Sequence, residues 1–204
     1  MVGLFVAFAL VLESHPPSIG DDQRLEAPFA AIIATDDEVT RCAKSADPRC
    51  RFLLVDMLWA KYADMKVPEI LTDMKAVSAA INKKATARDR LAKQYLTLAA
   101  AVQDEWGLAA SCRAAEVLLE YARFFAEADP PPPAKPTGPL EPFILHSWQV
   151  TYPVIEQAIA QIEKTELRAK VAGMDSAYVR RCRSEVPLLR AYVDAPYGMR
   201  FPLP

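Results

Sequence analysis

Apolar residues return every three or four positions through most of this chain, the spacing that lines one face of an α-helix. Leu91, Tyr95, Leu98, Val102 and Trp106 form one such stripe, and Leu108, Cys112, Ala115, Leu119 and Ala122 form the next. A cap at 86–89 is expected to start the first helix, and Gly107 to stop it, because glycine readily takes the left-handed conformation that ends helices. With so little chain between them, the two stripes predict antiparallel neighbours or one helix kinked at the glycine. Upstream, Pro68 opens a helix carrying Ile70, Leu71, Met74, Val77 and Ile81 to about Lys84. Downstream, Ile155, Ile159 and Ile162 mark a helix that starts at Thr151, holds Pro153 in its first turn and ends near Gly173. Tyr178, Cys182, Val186 and Leu189 mark the last helix, which Pro187 should kink or split because its ring clashes with the carbonyl four residues earlier.

Residues 52–60 depart from this striping, since they are apolar on almost every side. That is the expectation for a helix with neighbours all round, so this segment, capped by Asp47 with Pro48 in the first position and running to about Lys66, is predicted to be the central helix. A capping box at Thr35-Asp36-Asp37-Glu38 precedes a short helix reaching about Lys44. Periodicity leaves 28–34 and 143–150 open between short helix and strand. Seven prolines in 129–142 exclude helix and predict an extended connector. The pattern as a whole predicts an all-α fold, an irregular bundle of about six principal helices with the proline-rich connector before the last two. One helical domain is expected over 23–204, after a leader and polar loop at 1–22.

The first twelve residues are apolar except Gly3 and would span roughly 18 Å as a helix, short of the ~30 Å a bilayer core requires. No stable transmembrane anchor is therefore expected there. The length suits a secretory leader, and Ala7-Phe8-Ala9 has a small-x-small pattern, although no basic residue precedes the run. Four cysteines, Cys42, Cys50, Cys112 and Cys182, match no paired zinc motif, and an even count behind an export-like leader points to disulfides and to a periplasmic or secreted protein. Cys112 and Cys182 both lie in helix stripes, where a bridge would close a loop of about 70 residues and contribute about 4 kcal/mol by chain entropy. Cys42 and Cys50 bracket a helix corner that a local bridge would clamp.

Net charge is −2 and the isoelectric point near 5.8, so the chain as a whole has no attraction for nucleic acid, and no nucleic-acid partner is expected. Only His15 and His146 are available as imidazole ligands, and no HExxH is present, so neither a metal nor another cofactor is expected. No G-x-S-x-G elbow or glycine-rich phosphate loop occurs. His146 can serve as a general base where a carboxylate meets it, and Glu105, beside Trp106 at a helix end, is the carboxylate placed to sit at a cleft. Two basic clusters, Lys83, Lys84, Arg88 and Arg90 in one and Arg180, Arg181, Arg183 and Arg190 in the other, read by default as solvated helix faces. These observations favour a non-enzymatic extracytoplasmic protein that binds another protein or a cell-envelope component through a helical surface or groove. The alternatives are a small hydrolase using carboxylates with His146, and an apolar-ligand carrier with a dry cavity of roughly several hundred Å³.

Overall fold

The structure, a computed structural model, describes residues 36–66, 74–128 and 141–194, with the side chains of all but 36, 74, 126–128 and 141–148. These residues form α1 (Asp36–Cys42), α2 (Pro48–Ala63), α3 (Met74–Ala101), α4 (Glu105–Ala128), α5 (Glu141–Val171) and α6 (Ala177–Asp194), with no strand among them. The all-α bundle expected from the periodicity is thus observed. The leader at 1–22, segment 28–34, Thr35 of the capping box, Pro68, most of the proline connector and the tail after 194 lie outside the described residues.

Local chemistry sets several of the helix ends. Asp47 accepts a hydrogen bond from the Arg49 amide at 2.8 Å and Pro48 takes the first position of α2, as its sequence implies. Gly173 adopts φ +67° and ends the reach of α5, with the Met174 amide donating to the Ala169 carbonyl and the Gly173 amide to the Lys170 carbonyl. This is the paired arrangement that only a left-handed residue allows.

Four boundaries differ from expectation. The two helices expected at 68–84 and 86–107 are one helix, α3, in which Thr86 does not cap but donates its hydroxyl to the Asn82 carbonyl four residues back. Its chain leaves the helix after Ala101, and Gly107 sits in the first turn of α4, where Asp104 accepts from the Trp106 and Gly107 amides. A Cβ on Gly107 would lie 2.0 Å from the Val102 carbonyl oxygen, so the glycine permits a close chain reversal and does not terminate α3. Helix α5 begins at Glu141 and runs through Pro153, so 143–150 is helical and Thr151 is an interior residue. Helix α6 likewise continues through Pro187 and is not split.

Helix α4 is central, in place of the expected α2. It packs on α2 and α3 on one side and on α5 and α6 on the other. Every residue from Gly107 to Val117 is buried, and Ala109, Ala110, Ala114 and Ala115 let neighbouring backbones approach closely. Helix α2 turns Phe52, Trp59 and Tyr62 inward but leaves Leu58 exposed and Leu54 and Val55 half-buried. Cys112 and Cys182 stand at disulfide distance, Cα atoms 6.1 Å apart, joining α4 to α6, and Cys42 and Cys50, 4.7 Å apart, join α1 to α2. Arg168 of α5 donates to the Ala99 and Val102 carbonyls at 2.6 Å each, supplying partners to the C-terminal end of α3. Among the described residues no helix is long and apolar enough to cross a membrane.

Candidate binding groove

The antiparallel pair α2 and α3 forms one flank of the bundle, and its outer face carries two adjoining cavities. One, of about 540 Å³, is lined from α2 by Leu58, Lys61 and Tyr62 and from α3 by Asn82, Lys83, Thr86, Ala87, Arg90, Leu91 and Gln94, with Met65 beyond the end of α2. The second, of about 500 Å³, takes Arg51, Leu54 and Val55 from α2 and Arg90, Lys93, Gln94, Thr97 and Leu98 from α3. Arg90 and Gln94 belong to both, so the two cavities are lobes of one groove. The space exists because the large α2 side chains turn toward α4, while the facing α3 positions include the short Ala87 and Thr86.

The groove has an apolar floor and a cationic rim. Arg51, Lys61, Lys83, Arg90 and Lys93 line it, and among the described residues no Asp or Glu does. Among the described residues none of these five cations has a carboxylate partner, whereas Arg88 beside them pairs with Asp89 and lies over the Tyr121 ring. The Oε1 of Gln94, at the junction of the lobes, is buried without a hydrogen-bond partner. A floor of Leu54, Leu58, Leu91 and Leu98 beneath a rim of cations suits an occupant that is apolar on one face and anionic at its margins.

Beneath the groove floor lies a buried polar cluster. Asp56 of α2 accepts from Arg113 of α4 through both oxygens, at 2.8 and 3.1 Å, and from the Tyr95 hydroxyl of α3 at 2.6 Å. Arg113 also pairs with Glu116 and stacks over the Trp59 ring, 5.1 Å from its centroid. Burial pushes the Glu116 carboxyl up to about 8, against the pull of Arg113 and with a further push from Asp56. Burial also disfavours the charge on Arg113, but Glu116, once ionised, and Asp56 outweigh it and keep the guanidinium protonated. Burial and then Asp56 raise the Tyr95 hydroxyl well above its ordinary range. With Asp56 0 %, Arg113 1 % and Glu116 3 % exposed, the cluster has no surface for a substrate, and it ties α2, α3 and α4 together as a structural joint. Lys84 is a second joint, donating to the Tyr62 and Met65 carbonyls and pairing with Glu120 at 3.2 Å while it lies over the Tyr62 ring.

The two residues named for hydrolysis lie on different helices, Glu105 on α4 and His146 on α5. Glu105 opens α4, where Ser176 lies 3.4 Å from its carboxylate and Leu108, one turn on, packs on Ala169 of α5. His146 lies on α5 more than twenty residues before Ala169, about 35 Å of helix rise, and its side chain is outside the described residues. Trp106 packs against Phe52 and Tyr178 and lines neither lobe.

The basic cluster on α6 is paired, Arg180 with Asp175, Arg181 with Glu185, Arg183 with Glu166 and Arg190 with Glu163. The other cluster divides, with Lys84 buried, Arg88 paired and Lys83 and Arg90 on the groove rim. Sequence reading missed the α2 half of the groove, Arg51, Leu54, Leu58 and Lys61, and on α3 Lys93 and Gln94. Among the described residues no group of three or more His, Cys, Asp or Glu side chains is placed to hold a metal ion. Comparison with protein-family models, with curated proteins and with solved structures finds no match for this chain.

Proposed function

We propose that this protein is a non-enzymatic binding protein of an extracytoplasmic compartment, and that the groove between α2 and α3 is its binding face. The observation that carries the reading is the coincidence of an apolar floor with five cations lacking carboxylate partners among the described residues, on a chain whose net charge is −2. Positive charge is concentrated there against the overall balance, and elsewhere on the described surface arginines such as those of α6 are neutralised by neighbours. Two cysteine pairs at disulfide distance support an oxidising location, because such bonds persist outside the reducing cytosol. The occupant is a protein or another component of the cell envelope.

Hydrogen exchange of the native protein tests this reading. Adding the protein fraction and the lipid fraction of a cell-envelope extract, each separately, is expected to slow exchange in 48–63 and 82–98 with one of them. Protection confined to α5 and α6, or none with either fraction, contradicts it.

A further inference from the structure

Resting on that reading, we infer that the groove accepts an amphipathic, acidic α-helix of a partner protein. Length and charge distribution select this occupant over a single-headed lipid. Arg51 and Lys61 stand ten residues apart on α2, and Lys83 and Lys93 ten residues apart on α3, so each rim carries charge over about 15 Å of helix rise. A fatty acid or other one-headed amphiphile brings its anionic group to one end and would leave the remaining cations facing its tail. An amphipathic helix with carboxylates on both margins of its apolar stripe meets charge along both rims.

The floor has a matching repeat. The α3 residues of the two lobes centre about six positions apart, roughly 9 Å along the axis, close to the i to i+7 rise of a docked helix. Each lobe thus receives one turn's anchoring side chains, with Leu58 flooring the first and Leu54 and Leu98 the second. Between them, the buried and unpartnered Gln94 Oε1 offers an acceptor to a polar donor at the centre of the docked stripe. Exposed rim charges of this kind raise association rate and choose the sign of the partner more than they add affinity, so the apolar anchors hold the complex and the cations select it.

Fluorescence anisotropy on the full chain tests the inference. The probes are fluorescein-labelled peptides of about sixteen residues with Leu and Phe at i, i+3, i+7 and i+10, flanked by Glu, Gln or Lys. The Glu peptide is expected to bind about tenfold or more tightly than the Gln peptide at low salt, to lose that advantage as salt rises, and to outcompete the Lys peptide entirely. In the variant carrying Arg51→Glu, Lys61→Glu, Arg90→Glu and Lys93→Glu the preference should reverse toward the Lys peptide, and Lys93→Glu alone should weaken the Glu peptide. Equal binding of the three peptides to the native protein overturns the inference whatever the variants do. Should palmitate slow exchange in 48–63 and 82–98 while the Glu peptide does not bind, the helical occupant is wrong and the groove reading survives. Absence of protection by the peptides, palmitate and both envelope fractions removes the groove reading as well.

Discussion

Arg113 and Asp56 meet in a two-point contact at 2.8 and 3.1 Å, and both side chains are almost wholly buried between α2 and α4. Neither charge can be solvated if its partner is lost. Replacing one member, by Arg113→Met or Asp56→Asn, is expected to cost about 3–5 kcal/mol, because the survivor is left as an uncompensated buried charge or acceptor. Replacing the pair together by apolar residues should cost clearly less than the sum. Urea denaturation of the two single variants and the double variant checks this, and additive losses would contradict the joint.

The same cluster predicts an alkaline weakness. Glu116 holds its proton in the folded protein up to about pH 8, chiefly because burial disfavours its charge, whereas in the unfolded chain it ionises near ~4.3. Between those values the folded state binds more protons, so this group's contribution is full below the lower value and is lost as pH rises toward the upper. Glu116→Gln has no such proton, and its stability relative to the native protein should therefore rise steadily from pH 5 to pH 8. Parallel pH profiles of the two denaturation midpoints would show that Glu116 is ionised throughout.

The two cysteine pairs should differ in weight. The Cys112 and Cys182 pair closes a sequence separation of 70 and the Cys42 and Cys50 pair one of 8, which by chain entropy correspond to about 4 and about 2–3 kcal/mol. Paired Cys→Ala variants measured by urea denaturation should fall in that order. Peptide mapping without reduction should recover both bridges from the protein as isolated, and free thiols at all four positions would contradict them.

Two glycines separate steric from conformational cost. Gly107→Ala places a methyl 2.0 Å from the Val102 carbonyl oxygen and 3.1 Å from Arg168, so the reversal between α3 and α4 must shift, at about 3 kcal/mol. Gly173→Ala meets nothing within 4 Å and bears only its positive φ, at about 1 kcal/mol. Thermal unfolding of the two variants should rank them in that order.

The helical class, the Asp47-Pro48 start and the Gly173 end were legible because each follows from a local rule of one helix turn. What was not legible depends on contacts beyond a single helix turn or on where a helix begins. Gly107 resembles a helix terminus locally, and only the Val102 carbonyl five residues back explains it. Pro153 suits a first helical turn and Pro187 a kink or split, yet α5 begins at Glu141 and carries Pro153 in its interior, and α6 runs through Pro187. Residues 52–60 of α2, apolar on almost every side, pointed to that helix as central, whereas α4 carries Arg113 and Glu116, and it takes Asp56, 57 residues before Arg113, to make burial of that arginine tolerable. The groove was half visible, since Lys83 and Arg90 stood out as a basic cluster. Their opposite rim, Arg51 and Lys61, flanks a run whose apolar character concealed that one of its faces is open.

The binding face itself is tested most directly by paramagnetic broadening of leucine methyl resonances with a nitroxide on the Glu-flanked peptide. The methyls of Leu54, Leu58, Leu91 and Leu98 should broaden, while those of the exposed Leu167 and Leu188 on α5 and α6 stay sharp. Broadening centred on Leu167 and Leu188, with the groove methyls unchanged, would contradict the assignment of the groove as the binding face.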